Sequence, residues 1–188
     1  MKYTDYRTQA QSGDLVLCSG AGKMSKAIIA SAKRNGKKPC IIDADNVYYS
    51  HIGVVVVVYG HVFICEAIGE GIVLRRFSEA YKEYKGRIHI YRKKWINTGI
   101  EGYECFVSNM LSLEGWKYDY KSILDQLLAE IKILKLKHHE DKALYCSEAV
   151  NLAANYYWGG EDKWVTPHDI AYTEWKAGNF LCELKDIK

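Results

Sequence analysis

The sequence predicts an α+β protein in which an antiparallel sheet is packed against helices on one side. Strand-like patterns lie mainly before residue 92, whereas helical patterns predominate after it. The chain has 188 residues, of which 48% are hydrophobic and only two are proline. A chain of this size can bury a substantial core without metals or crosslinks, so we expect one domain over residues 1–188.

The first elements are a short strand and a helix. A turn at Gly13-Asp14 precedes an apolar strand over 15–17. Residues 24–33 have helical composition, and Asn35-Gly36 is typical of a helix end. The segment from there to Tyr49 has no clear period, which favours a loop.

The most strongly patterned region predicts a β-hairpin. Two β-rich runs, 51–59 and 61–68, flank Tyr59-Gly60, which is a typical tight-turn pair. The five consecutive valines of the first run are apolar on both faces, which indicates a central strand. Further strands are predicted over 72–76 and 87–92.

The second half is predicted to be helical. Residues 102–113 and 122–136 carry apolar side chains at three- and four-residue spacing. A third helix is predicted over 145–158. Thr166-Pro167 is typical of a helix start, with a capping threonine before a proline at the first helical position.

Charge and composition exclude several classes of protein. The net charge is only +3 and the basic residues are dispersed, so we expect no nucleic-acid partner. The first twelve residues lack an apolar core, which predicts a cytoplasmic protein without a secretory signal. The longest apolar run is the length of one strand, so no integral membrane segment is expected.

Two patterns suggest ligand binding and are not favoured. The segment Ser19–Ser25, with Asp43 or Asp45 beyond it, partly resembles a nucleotide-binding loop, but it lacks the third glycine and the P-loop hydroxyl. The pair His138-His139 lacks a partner at ligand spacing and is typical of a polar helix end. The six cysteines form no C-x-x-C motif. We therefore expect no cofactor and no metal.

Cys146 is the candidate nucleophile. The segment Tyr145–Ala149 places its thiol in the first turn of a predicted helix. Backbone amides and the helix dipole favour an anion there, and the backbone N–H of Cys146 can stabilise a developing oxyanion. Most buried cysteines only pack, so this position needs a partner base.

His51 and Glu66 form the candidate pair that would assist it. Glu66 lies between apolar neighbours in a predicted strand, where a carboxylate requires a charged or hydrogen-bonding partner. If Tyr59-Gly60 is a two-residue loop, Glu66 lies opposite Gly53 and on the same face as His51. A three-residue loop would place Glu66 on the opposite face. Diagonal pairs are about 7–8 Å apart, which long side chains can span.

Several motifs together resemble the permuted NlpC-type papain-fold hydrolases, the YiiX/YebB-like group. In chain order they are Gly13–Leu17, Ser50–Val55, Glu66-Ala67 with Gly71–Val73, Tyr118-Asp119, Tyr145–Glu148 and Thr166-Pro167 with Asp169-Ile170. The most specific are Ser-His-Ile-Gly and Tyr-Cys-Ser-Glu. The histidine precedes the cysteine, as in the permuted branch. The insert over 32–48 matches no feature of that group and is a candidate determinant of specificity.

The resemblance implies a circularly permuted papain-like fold and a Cys146–His51–Glu66 triad. Cys146 would be the nucleophile, His51 the general base and then acid, and Glu66 the group that orients the imidazole. The expected activity is cleavage of an amide bond in a peptide, such as a cell-wall peptide, or in an acylated small molecule, through a thioester. Lipid acyl transfer, thioester hydrolysis and a non-catalytic binding module are the alternatives.

Overall fold

The computed structural model describes residues 1–93, 99–123, 143–155, 157–158 and 165–187. Its helices are α1 Tyr3–Arg7, α2 Lys23–Arg34, α3 Phe77–Tyr81, α4 Gly99–Ser112, α5 Cys146–Ala153 and α6 Pro167–Lys176. Its strands are β1 Leu15–Gly20, β2 Cys40–Ile42, β3 Asp45–Val47, β4 His51–Val58, β5 His61–Ile68, β6 Gly71–Arg76, β7 Gly86–Tyr91, β8 Lys117–Tyr118, β9 Ala143–Leu144 and β10 Phe180–Leu184.

A six-stranded antiparallel sheet organises the molecule. Its strand order is β10-β7-β1-β4-β5-β6. The predicted α+β class with a central antiparallel sheet is therefore confirmed. The valine-rich strand β4 lies between β1 and β5, as its apolar residues on both faces predicted.

Alternate residues of the strands contribute to two separate core clusters, one on each face of the sheet. On one face Val54 packs with Phe106 of α4 and Val150 of α5. On the other face Val55 packs with aromatic residues of α1 and α3, including Phe77. The prediction that helices cover one side was wrong, because the short helices α1 and α3 bury their rings against the second face.

The segment predicted as a loop before Tyr49 was also assigned wrongly. It contains the hairpin β2–β3, whose turn residues Asp43 and Ala44 have φ values of 50° and 66°. Three-residue strands are too short to show a period, and Asp-Ala is not a usual pair for a turn with positive φ.

The helix over 145–158 is shorter than predicted. It ends at Ala153, and Asn155 adopts a left-handed φ of 49°. Asparagine tolerates this conformation and commonly occurs where helices end.

Two other predictions concern residues outside the described part of the chain. Most of the helix predicted over 122–136 and the whole of His138-His139 lie there. None of the described helices is both long and apolar enough to cross a membrane.

Candidate active site

The β4–β5 hairpin brings His51 and Glu66 together. Its two-residue turn pairs Val58 with His61 and Gly53 with Glu66. This is the register derived from the sequence, so both side chains lie on the same face of the sheet. The Nε2 atom of His51 is 2.6 Å from Oε2 of Glu66.

Glu66 is 1% exposed, and both of its oxygens have partners. Arg75 donates from a terminal nitrogen to Oε1 at 2.6 Å, and the Tyr81 hydroxyl donates to Oε2 at 2.9 Å. A buried carboxylate without such donors would be strongly unfavourable. Arg75 and Tyr81 therefore make the burial of Glu66 possible.

These contacts keep Glu66 ionised. Burial alone would raise its pKa, but the hydrogen bond and charge of His51, followed by those of Arg75, lower the pKa to about 2. An ionised carboxylate can only accept hydrogen bonds, so the Nε2 atom of His51 carries a hydrogen. The other ring nitrogen, Nδ1, is left for another partner.

Gly53 leaves the space in which this pair forms. A Cβ atom added at Gly53 would lie 2.8 Å from Cδ1 of Ile64 and 3.0 Å from Cβ of Glu66. Any larger residue would therefore push against the base of the Glu66 side chain.

Cys146 reaches the same place from a distant part of the sequence. It is the first residue of α5, which packs across β4 and β5, and it is 4% exposed. The carboxylate of Glu148 accepts a hydrogen bond from the backbone N–H of Tyr145 at 3.5 Å, which helps to fix the start of the helix.

Cys146 interacts directly with His51. Burial alone would lower the pKa of His51, but the charge of Cys146 and a hydrogen bond to its side chain, together with those of Glu66, raise the pKa to about 10. The structure therefore brings the three sequence-predicted residues together as a chain of interacting groups.

The sequence reasoning missed Arg75 and Tyr81. The register places Val73 opposite Glu66, and Arg75 lies two residues further along β6 on the same face. The diagonal rule that found His51 could therefore also have found Arg75. Tyr81 belongs to the short helix α3, and its approach to Glu66 depends on tertiary packing.

Cys146 also lines a pocket formed by separate segments. The cavity is small, with a volume of about 30 Å³, and its walls include Ile28 of α2, Lys37 and His168 of α6. Lys37 belongs to the segment over 32–48 that has no counterpart in the sequence resemblance. That segment therefore contributes to the surroundings of the candidate nucleophile.

The other cysteines form no disulfide bond. All six cysteines are free thiols, and only Cys105 is exposed. Within the described ranges, no group of three or more His, Cys, Asp or Glu side chains could hold a metal ion.

The fold and this cluster define an α+β protein with a central antiparallel sheet and a Cys–His–Glu arrangement beside it. No family model and no curated protein matches the chain. Among solved structures, it is similar to yiiX of Escherichia coli O157:H7, described as a metalloprotein of DUF1105. The identity is 20% and the TM-score 0.53, over 87% of this chain and 80% of the other. This similarity concerns the fold. The similar structure belongs to the YiiX-like group that the sequence motifs resemble.

Proposed function

We propose that the protein is a cysteine hydrolase with a circularly permuted papain-like fold of the NlpC type. The observations that carry the proposal are the hydrogen bond between Glu66 and His51 and the position of Cys146, which is close enough to raise the pKa of the imidazole. A nucleophile, a base and an orienting carboxylate in this sequence are the elements of covalent acyl-transfer catalysis. The order of histidine before cysteine supports the permuted arrangement.

In the proposed reaction, His51 takes the proton of the Cys146 thiol and the sulfur attacks the carbonyl carbon of an amide. The bond from that carbon to the leaving nitrogen breaks, and the protonated His51 gives its proton to the departing amine. Water then attacks the thioester while His51 takes a proton from it; the acid is released, and the proton passes from His51 to the departing sulfur, which regenerates the thiol. Glu66 holds the ring so that Nδ1 faces the sulfur.

The start of α5 supplies one stabilising group for the tetrahedral intermediate. The backbone N–H of Cys146 lies in the first turn of the helix, where amide hydrogens are not used by the helix itself. Such donors are most effective when they are aimed at the position where negative charge develops. The proposed substrate is a peptide or an acylated small molecule.

The description of the similar structure as a metalloprotein applies to that protein. The described residues of this chain include no cluster of three suitable ligands. The proposed reaction uses Cys146, His51, Glu66 and a water molecule.

Acetylation by p-nitrophenyl acetate tests the proposal, because it forms the thioester directly. We expect intact-mass and peptide mapping to place one acetyl group on Cys146. Substitution Cys146→Ala should abolish this adduct, and His51→Ala should slow its formation by about 10²–10⁴-fold. Cys105→Ala is the matched control and should leave the rate unchanged.

Acetylation that is unaffected by Cys146→Ala would contradict the proposal. A set of N-acyl p-nitroanilides then separates amide cleavage from chemistry restricted to esters and thioesters. Release of nitroaniline that requires Cys146 supports an amidase, whereas turnover of activated esters alone supports the acyltransferase or thioesterase alternative.

A further inference from the structure

His168 lines the same pocket as Cys146 but approaches it from another element. It is the second residue of α6 and is 1% exposed. An almost completely buried imidazole normally has both nitrogens hydrogen-bonded. The partners of its two nitrogens therefore indicate what the pocket can bind.

One nitrogen has a structural partner. The Nε2 atom of His168 is 2.9 Å from the backbone carbonyl oxygen of Lys38. A carbonyl oxygen only accepts, so Nε2 carries the hydrogen. Burial lowers the pKa of His168, although the hydrogen bond to Lys38 opposes this effect, so the ring is neutral at neutral pH. Its Nδ1 atom therefore presents a lone pair.

The other nitrogen, Nδ1, is buried and has no hydrogen-bond partner within the described part of the chain. Three tyrosine rings lie against His168, those of Tyr48, Tyr49 and Tyr172, and the first two use their hydroxyls elsewhere. Tyr48 donates to the carbonyl oxygen of Lys37 at 3.2 Å, and Tyr49 is 2.6 Å from Nδ1 of His89. An unsatisfied buried acceptor is unfavourable, and a ligand with a donor would remove this penalty.

The rest of the pocket favours an uncharged ligand. The ammonium group of Lys37 is 2.9 Å and 2.8 Å from the two carboxylate oxygens of Asp169 and 3.0 Å from the Thr166 hydroxyl. Its charge is therefore already paired. Ile28 and Ala32 of α2 form an apolar part of the pocket wall.

We propose that this pocket is a specificity site for a short aliphatic group that ends in a hydroxyl or an amide N–H. The donor of that group binds Nδ1 of His168, while the reacting carbonyl lies at Cys146. This assignment rests on the proposed cysteine chemistry and adds the class of substrate that the site selects.

Three chloroacetamides of nearly equal size test the assignment, because each alkylates a thiol and differs only at its tail. The N-(2-hydroxyethyl) compound has a donor, the N-(2-methoxyethyl) compound has only an acceptor, and the N-propyl compound has neither. We expect the hydroxyethyl compound to alkylate Cys146 about three- to tenfold faster than the other two. In His168→Leu the three rates should become equal.

His168→Asn is the conservative variant, because its side-chain oxygen can replace the Nδ1 acceptor. It should retain part of the preference for the hydroxyethyl compound. Iodoacetamide, which has no tail, should alkylate Cys146 at the same rate in all three proteins. This rate reports on the proposed nucleophile separately from the specificity site.

Equal rates for the three chloroacetamides in the wild-type protein would overturn the assignment, and this result requires no variant to fold. A preference that persists in His168→Leu would also overturn it. Failure of iodoacetamide to select Cys146 would instead count against the proposed cysteine hydrolase.

Discussion

At the residue scale, Glu66 acts together with Cys146 to raise the pKa of the candidate base, His51. It accepts hydrogen bonds from His51, Arg75 and Tyr81 while it is almost completely buried. Each donor favours the ionised carboxylate, and the ionised carboxylate in turn favours a protonated imidazole. A substitution that removes the charge of Glu66 therefore tests its effect on His51.

Substitution Glu66→Gln keeps a similar shape but removes that charge. We expect the pKa of His51 to fall from about 10 by about 1–3 pH units, because an opposite charge in direct contact is lost. An NMR titration of the His51 ring measures this change. Glu70→Gln, on an exposed turn, is the control, and an equal titration of His51 in both variants would contradict the expectation.

The same scale shows how far sequence reasoning could reach. The contact between His51 and Glu66 was predictable because the two-residue turn fixes the register and the strand period fixes the face. The contact with Cys146 was not derivable from spacing, because it depends on how α5 lies across the sheet. It followed only from the motif resemblance.

At the element scale, the hairpin requires a residue without a side chain at Gly53. Substitution Gly53→Ala would place a Cβ atom 2.8 Å from Ile64 and 3.0 Å from Glu66. We expect the free energy of unfolding to fall by about 1–3 kcal/mol, because the buried side chains of Ile64 and Glu66 must move to relieve the overlap. Urea denaturation measures this loss.

Gly22→Ala is the matched control for this substitution. A Cβ atom at Gly22 meets nothing within 4 Å, and its φ of −68° suits alanine. Loss of a favourable helix N-cap should cost below about 1 kcal/mol. Equal losses for the two variants would show that crowding at Gly53 does not limit the hairpin.

Short elements set the limit of prediction at this scale. The hairpin β2–β3 escaped detection because each strand has three residues, which is less than two full periods. The segment before β2 supplies Lys37 to the pocket beside Cys146, and the carbonyl oxygen of Lys38 contacts His168. Its possible role in specificity could be suggested from the sequence, whereas its geometry could not.

At the scale of the whole molecule, Asp14 connects the N-terminal region to the far end of β7. It is 1% exposed and accepts hydrogen bonds from the Tyr6 hydroxyl at 2.8 Å and from Arg92 at 2.7 Å. Asp14 lies in one of the motifs of the sequence resemblance. Through these contacts, the motif holds the N-terminal region against the end of β7, away from the candidate site.

Asp14→Ala should therefore lower stability without changing the chemistry of the folded protein. We expect a loss of about 2–4 kcal/mol in the free energy of unfolding, because a buried hydroxyl and Arg92 lose their partner. Thermal or urea unfolding measures it. Asp5→Ala, at an exposed position of α1, should cost below about 1 kcal/mol. A change in the rate of Cys146 alkylation in the folded Asp14→Ala variant would contradict the view that Asp14 acts on stability alone.

The pocket illustrates what only the folded chain reveals. Its walls come from α2, the segment after it, the start of α5 and the start of α6. Sequence periodicity assigns faces within an element, but it does not say which ends of distant elements meet. His168 was therefore not identified from the sequence. The structure shows that it is buried and that its Nδ1 atom has no hydrogen-bond partner among the described residues.

The central claim is that His51 activates Cys146, and competition between two thiols of the same chain tests it most directly. Iodoacetamide is added at pH 7, and the modification of Cys146 is compared with that of exposed Cys105 by peptide mapping. We predict that Cys146 reacts at least about tenfold faster although it is 4% exposed, and that His51→Ala removes this advantage. Slower reaction of Cys146 than of Cys105 in the wild-type protein, or an advantage that survives in His51→Ala, would contradict the account.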